Sequence, residues 1–273
     1  MIQFPDCFFL IFGQMAVGGF LCLSVPPFHG IERGFYKSSA GVFLAAALAM
    51  VAGKAWLLLR ATGPTSSEAV AEVAAWAVFA ATGGLYLYSL WGDPYRLRAR
   101  AYLGTLLTGI AALAVSAARF RLEPLPSIEM VLYPLSFLAS AVALGSAVTG
   151  MLLGHWYLIE TKLSLLPLQR ILRTFLIAVG GQLTIICLIL LALFVAGAPS
   201  VTVHAPWTGQ LGLIVARLAL GPVAALVLAL LIARTLAIPQ TMAATGLFYI
   251  AVLAVAVGEM IGRLLLFRTG VPF

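Results

Sequence analysis

Apolar residues in this chain fall in long, nearly unbroken runs, without the alternation of a half-buried strand or the narrow stripe of a surface helix. Eight runs stand out, over residues 5–27, 37–59, 69–91, 99–118, 129–158, 168–196, 210–233 and 241–267. Each reaches roughly 20 residues or more, the length a helix needs to cross a hydrocarbon layer about 30 Å thick. Short stretches rich in proline, glycine and charge separate them, and none leaves room for a soluble domain. The pattern predicts an all-α fold: a polytopic integral membrane helical bundle of eight transmembrane helices, forming one transmembrane domain over residues 1–273. No internal repeat stands out in the sequence.

Composition agrees and narrows the chemistry. Hydrophobic residues make up 63% of the 273 and charged residues only 9%, with a mean hydropathy of +1.09, a balance that excludes an ordinary soluble domain. The first run has no basic segment before it and is long enough to span, so it reads as a retained helix. Cys7, Cys22 and Cys187 are isolated in apolar context with no CxxC spacing, which predicts no metal or haem bound by this chain. The net charge of +7 follows from an uneven distribution of basic residues. Arg33, Lys37, Arg96, Arg98, Arg100, Lys162, Arg170, Arg173 and Arg234 fall after spans one, three, five and seven, whereas Arg60, Arg119, Arg121 and Arg268 fall on the other side. The positive-inside rule then places the first set in the cytoplasm and both termini outside, on the periplasmic or extracellular side of a cell inner (cytoplasmic) membrane. Short juxtamembrane basic loops of this kind meet the lipid bilayer and do not indicate nucleic acid.

Against this background the buried polar residues carry the functional reading. Glu259 and Arg263 stand four apart, on one helix face, inside the run Gly258–Arg263. A lone charge at mid-bilayer costs roughly 2.5 to 3.5 kcal/mol, so such residues face other helices or a polar cavity. With both termini outside, Gln14, Arg217 and Glu259 come to about 10 to 15 Å below the outer face, at about 1.5 Å of rise per residue. Lys54 and Glu72 lie somewhat shallower. An outer-leaflet cluster of Gln14, Lys54, Glu72, Arg217, Glu259 and Arg263 follows. Two readings of it stand side by side. One is a hydrogen-bond and ion-pair clasp between helices; the other is a quinone site in which Glu259 is the catalytic proton acceptor, Gln14, Lys54 and Arg217 contact quinone or carboxylate, and Arg263 tunes Glu259.

A second group lies on the cytoplasmic side, in Gly154–Lys162. There His155 and Glu160 are a proton-site pair, or else an interfacial helix end together with Trp156 and Tyr157. Small residues mark close helix approach: Ser146, Gly150 and Gly154 on span five, and Gly258 and Gly262 beside the charged pair.

The segments FGQMAVGGF, from Phe12 to Phe20, and GEMIGR, from Gly258 to Arg263, resemble the first and last helices of the DMSO reductase membrane anchor, within the broader NrfD and polysulfide reductase membrane-subunit superfamily. The resemblance is concentrated in those two helices. It implies a quinone-reactive integral membrane subunit of a respiratory-type oxidoreductase, binding menaquinone or ubiquinone and docked to iron–sulfur or cytochrome subunits. The chain departs from the family pattern at the turn Gly92–Arg96, which follows the third span and has Leu90 where the family has a histidine. Two other classes stay open. One is a structural or assembly membrane subunit of such a complex without quinone chemistry. The other is a proton-coupled small-solute transporter, which calls for helix breaks near mid-membrane; Gly180, Gly181 and Gln182, or Gly221 and Pro222, are the places for them.

Overall fold

The structure is a computed structural model that describes residues 3–60, 66–120, 129–160, 162–195 and 207–273. It contains helices α1 Gln3–Cys22, α2 Arg33–Leu59, α3 Ser67–Ser89, α4 Tyr95–Ala118, α5 Glu129–Trp156 and α6 Leu166–Val195, followed by α7 Leu211–Ala237 and α8 Thr241–Thr269. All eight are long and apolar enough to cross a membrane, and the described residues contain no strand. The chain is therefore a multi-pass helical bundle of the membrane type.

Helix ends follow local chemistry. α1 stops at Cys22 and does not continue to Pro27, because Pro26 and Pro27 lack the N–H groups that another turn needs. α4 begins at Tyr95, directly after Pro94. Ser66 caps α3 by accepting the Ala69 N–H at 3.2 Å, and Gly270 closes α8 in the left-handed conformation, φ 78°. α7 is interrupted by a π-helical turn over Ala219–Val223, where Gly221 and Pro222 sit. α6 runs without a break through Gly180 and Gly181.

The helices form two four-membered rings. In the first, α1 packs on α2, α2 on α3, α3 on α4, and α4 returns to α1. In the second, α5 packs on α6, α6 on α7, α7 on α8, and α8 returns to α5. The rings join chiefly along α1 and α5, which touch backbone to backbone. A Cβ on Gly18 would lie 1.6 Å from the Ala141 carbonyl oxygen, and one on Gly145 would lie 2.0 Å from the Gly18 carbonyl carbon. Phe20 of α1 anchors the first ring, with Phe79 and Tyr86 edge-on at 5.8 and 6.1 Å. Side chains on the outer surface, such as Ile177, Val131 and Leu253, are apolar and exposed, as lipid contact requires.

Alternating helix directions give the bundle two ends. The connections after α1, α3, α5 and α7 share one end, here the hairpin face, where Arg33 pairs with Asp93 and Phe35 meets Trp156 at 6.3 Å. The other end, the opposite face, carries Asp6, Arg119 and Gly270.

Candidate functional site

Each ring gathers polar side chains from all four of its helices toward the opposite face. In the second ring the centre is Glu259, with no exposure at all. Its Oε1 accepts from Arg217 Nη2 of α7 at 2.8 Å and from Gln182 Nε2 of α6, while its Oε2 accepts from Arg263 Nη2 at 3.3 Å. Ser140 of α5 completes the set, accepting from Arg263 at 3.0 Å and from Gln182 at 2.9 Å. The Arg263 guanidinium lies 4.1 Å above the Phe137 ring, a favourable cation–π placement in a dry setting.

Glycine makes room for this network. A Cβ on Gly258 would come within 2.4 Å of the Gly221 Cα, and one on Gly262 within 2.7 Å of Arg217 Nε. The Gly258–Gly262 seam thus seats both the α7 backbone and the Arg217 side chain. After Gly270 the chain folds back as a cap. Tyr133 donates to the Gly270 carbonyl, Ser136 to that of Pro272 at 3.4 Å, and Arg217 Nε to that of Phe273 at 3.3 Å. Val271 and Phe273 are buried, which irregular backbone inside a bilayer requires.

In the first ring, Lys54 of α2 pairs with Asp6 of α1 and, at 3.0 Å, with Glu72 of α3. Arg119, at the end of α4, pairs with Glu72 and reaches Asp6 at 3.8 Å. Ser116 donates to Glu72 at 2.7 Å and receives the Trp76 indole N–H at 2.9 Å. The quartet lines a small cavity of about 160 Å³. The six residues grouped from sequence therefore divide between two networks. Arg217, Glu259 and Arg263 come together in the second ring, and Lys54 and Glu72 in the first. Gln14 lies between them on α1, fully buried, donating to the Phe137 carbonyl at 3.5 Å. The ring of Phe137 in turn lies under the Arg263 guanidinium. Arg121 lies outside the described residues.

Sequence reasoning missed Asp6, which lies at the very start of the first apolar run. It also missed Gln182 as a ligand of Glu259, because two adjacent glycines made that stretch look like a helix break. A polar residue inside an apolar run was the available signal for both.

The hairpin face contains the larger cavity, about 650 Å³. Its wall is built from the loop after α1, the start of α2, the end of α3 and the start of α4, with Arg170 reaching in from α6. Tyr36, Tyr86, Tyr102, Phe28, Pro26 and Pro27 supply the apolar and aromatic surface, while Arg98, Arg170 and His29 add polar groups. Tyr86 and Tyr102 stack at 4.8 Å, and Arg98 lies 5.2 Å over Phe28. Arg98 is held in place by the Gly92 carbonyl at 2.7 Å and the Ser89 carbonyl at 3.4 Å. Nothing in the sequence marks this site, because its tyrosines come from three different helices.

His155 and Glu160 also lie toward the hairpin face. His155 is exposed, and no hydrogen bond joins it to Glu160 among the described residues; Glu160 instead accepts the Trp156 indole N–H at 3.0 Å. Tyr157 donates to the Ser164 carbonyl at 2.5 Å, and burial pushes its hydroxyl up to about 12. That corner holds the start of the α5–α6 connection in place.

Fold and sites together define an eight-helix integral membrane protein, with a charged network toward one end of each ring and a ligand-sized aromatic cavity at the hairpin end of the first. No family model, no curated protein and no solved structure matches the chain.

Proposed function

We propose that this chain is a quinone-holding integral membrane subunit of an electron-transfer complex, and that the quinone occupies the hairpin-face cavity. The observation that supports this reading is the cavity itself. Its volume of about 650 Å³ falls in the range of roughly 300 to 1,000 Å³ found for small-molecule sites, which are mostly apolar with a few placed polar groups. A flat, lipid-soluble ring fits the tyrosine-lined wall, and its carbonyl oxygens have Tyr86 and Arg98 as partners. On this reading a partner subunit carries the redox centre that exchanges electrons with the quinone. On the same reading the hairpin face, with its basic loops, is cytoplasmic, and the cavity belongs to the inner leaflet of the cytoplasmic membrane.

The charged networks then act as clasps. Both oxygens of Glu259 are engaged by Arg217, Arg263 and Gln182, and the residue has no exposed surface through which a substrate hydroxyl could reach it. This observation favours an anchoring role for the network around Glu259, with the ligand in the hairpin-face cavity.

A photoreactive azidoquinone tests the site. Labelling of the full chain in bilayer nanodiscs is expected within residues 23–36 and 86–102, competed by unlabelled quinone. Label spread over the lipid-facing surface, or concentrated around Glu259, would overturn the assignment. Purification from native membranes is expected to bring down a subunit with an iron–sulfur or haem centre.

A further inference from the structure

The hairpin-face cavity brings together two guanidinium groups from different rings. Arg98, on α4, turns Nη2 to the Gly92 and Ser89 carbonyls and lies over the Phe28 ring, while its Nε is buried without a hydrogen-bond partner. Arg170, near the start of α6, lines the same cavity. It is exposed, and its side chain makes no hydrogen bond or ion pair among the described residues.

No carboxylate answers these two charges. Of the acidic residues at the hairpin end, Asp93 pairs with Arg33, Glu160 accepts the Trp156 indole N–H, and Glu32 is exposed and unpaired among the described residues. None of them lines the cavity. Backbone carbonyls and the His29 ring supply neutral acceptors there, but a neutral acceptor does not cancel a formal charge. Two like charges beside one partly dry cavity favour an anion between them.

The chemistry of the wall narrows the anion. A guanidinium fork matches the paired oxygens of a phosphate, and two forks can share one phosphodiester. Beside the arginines lie Pro26, Pro27, Phe28 and Tyr36, an apolar surface from which a soluble ion gains nothing and a lipid does. The cavity sits at the end of spanning helices, the level of headgroups and interfacial aromatics. A choline group is poorly served. Tyr86 is turned on Tyr102 at 4.8 Å and Phe28 on Tyr36 at 4.7 Å, so a quaternary ammonium meets two cations where it needs open ring faces.

We propose that the mouth of this cavity binds the phosphate of an anionic glycerophospholipid, with Arg98 and Arg170 as its two ligands. The acyl chains stay in the bilayer, and the exposed Arg170 keeps the phosphate at the opening. A guanidinium has five N–H groups, so Arg98 serves the lipid without giving up a quinone oxygen deeper inside. Phosphate binding of this kind depends on the two charges alone. It holds with or without a quinone, and whichever side of the membrane the hairpins face.

Native mass spectrometry of the full chain, delipidated in a nonionic detergent, provides the readout, with dioleoyl phosphatidylglycerol and dioleoyl phosphatidylcholine as probes. The first phosphatidylglycerol is expected to bind about tenfold more tightly than the first phosphatidylcholine. Arg98→Gln and Arg170→Gln are each expected to remove most of that preference, and Arg170→Gln decides if Arg98→Gln disturbs the turn it holds. Arg234→Gln, exposed on the same face but off the cavity, is expected to leave the preference within about twofold of the parent.

Equal affinity for the two lipids overturns the proposal. So does a preference that survives Arg170→Gln, or one that Arg234→Gln lowers as much. Displacement of the lipid by millimolar inorganic phosphate would mark a site for a soluble phosphate and overturn the assignment to lipid. Azidoquinone labelling is read separately, so its failure strikes the quinone reading and leaves the lipid site standing.

Discussion

At the scale of single residues, Glu259 is where cost and stability meet. Two guanidinium groups and one carboxylate, each at most 1% exposed, would be unfavourable separately and hold together only as a set. Removing the carboxylate leaves two like charges facing each other in a dry interior, and breaking a buried pair in this way costs about 3 to 5 kcal/mol. Glu259→Ala is therefore expected to accumulate poorly or to melt well below the parent chain in nanodiscs. The double variant Glu259→Gln with Arg217→Met removes one charge of each sign and is expected to recover at least half of the lost stability. Quinone binding at the hairpin face stays within about twofold in that double variant, because the clasp belongs to the other ring and changes at sites without shared partners act independently. A binding loss that tracks Glu259, with the melting temperature held, would instead return the ligand to the clasp.

At the scale of helices, the tightest constraint is the α1–α5 crossing. Gly18 and Gly145 sit where any Cβ would enter the partner's backbone, and backbone, unlike a flexible side chain, cannot move aside locally. Gly145→Ala is expected to force the two rings apart and destabilise by about 1 to 3 kcal/mol or more. Gly180→Ala on α6, where an added Cβ meets nothing within 4 Å, is expected to be neutral or stabilising by about 1 kcal/mol, since alanine is the better helix former. Melting curves of the two variants in the same nanodiscs provide the comparison. This contrast also marks how far the sequence could be read. The runs over 69–91 and 241–267 announce helices because every turn must satisfy lipid or protein with apolar surface. Gly18 and Gly180, however, look alike in sequence, and only the packing of α1 on α5 separates a contact glycine from a lipid-facing one. The same holds for the charges. Glu259 and Arg263 are legible as a pair because both lie on one helix, whereas the Asp6–Lys54–Glu72–Arg119 quartet needs four helices to be placed before it exists. Gly221 and Pro222 were legible as an irregularity, and the outcome is a π turn that keeps the helix going.

At the scale of the whole molecule, the two rings share a plan: in each, every helix sends a polar side chain toward the opposite face. A larger cavity of about 650 Å³ lies at the hairpin end, walled mostly by the first ring. Along α1, about 25 Å separates Asp6 from Leu23, at about 1.5 Å per residue, so the quartet and the cavity lie near opposite membrane surfaces. Which surface is which decides what the cavity can meet. From its basic loops the positive-inside rule gives the expectation that the hairpin face is cytoplasmic. Among the described basic residues of the opposite face, Arg119 is paired in the quartet, Arg60 lies on the Trp56 ring at 4.9 Å and Arg268 donates to Gln210 at 3.4 Å. Single cysteines introduced at the exposed positions Glu32 and Glu68 report the orientation with a membrane-impermeant maleimide, in a background where Cys7, Cys22 and Cys187 are replaced by serine or alanine. Glu68→Cys is expected to label in intact spheroplasts and Glu32→Cys only in inverted vesicles. The reverse pattern would turn the cavity outward, and any electron-carrying partner would then have to dock from the periplasmic or extracellular side.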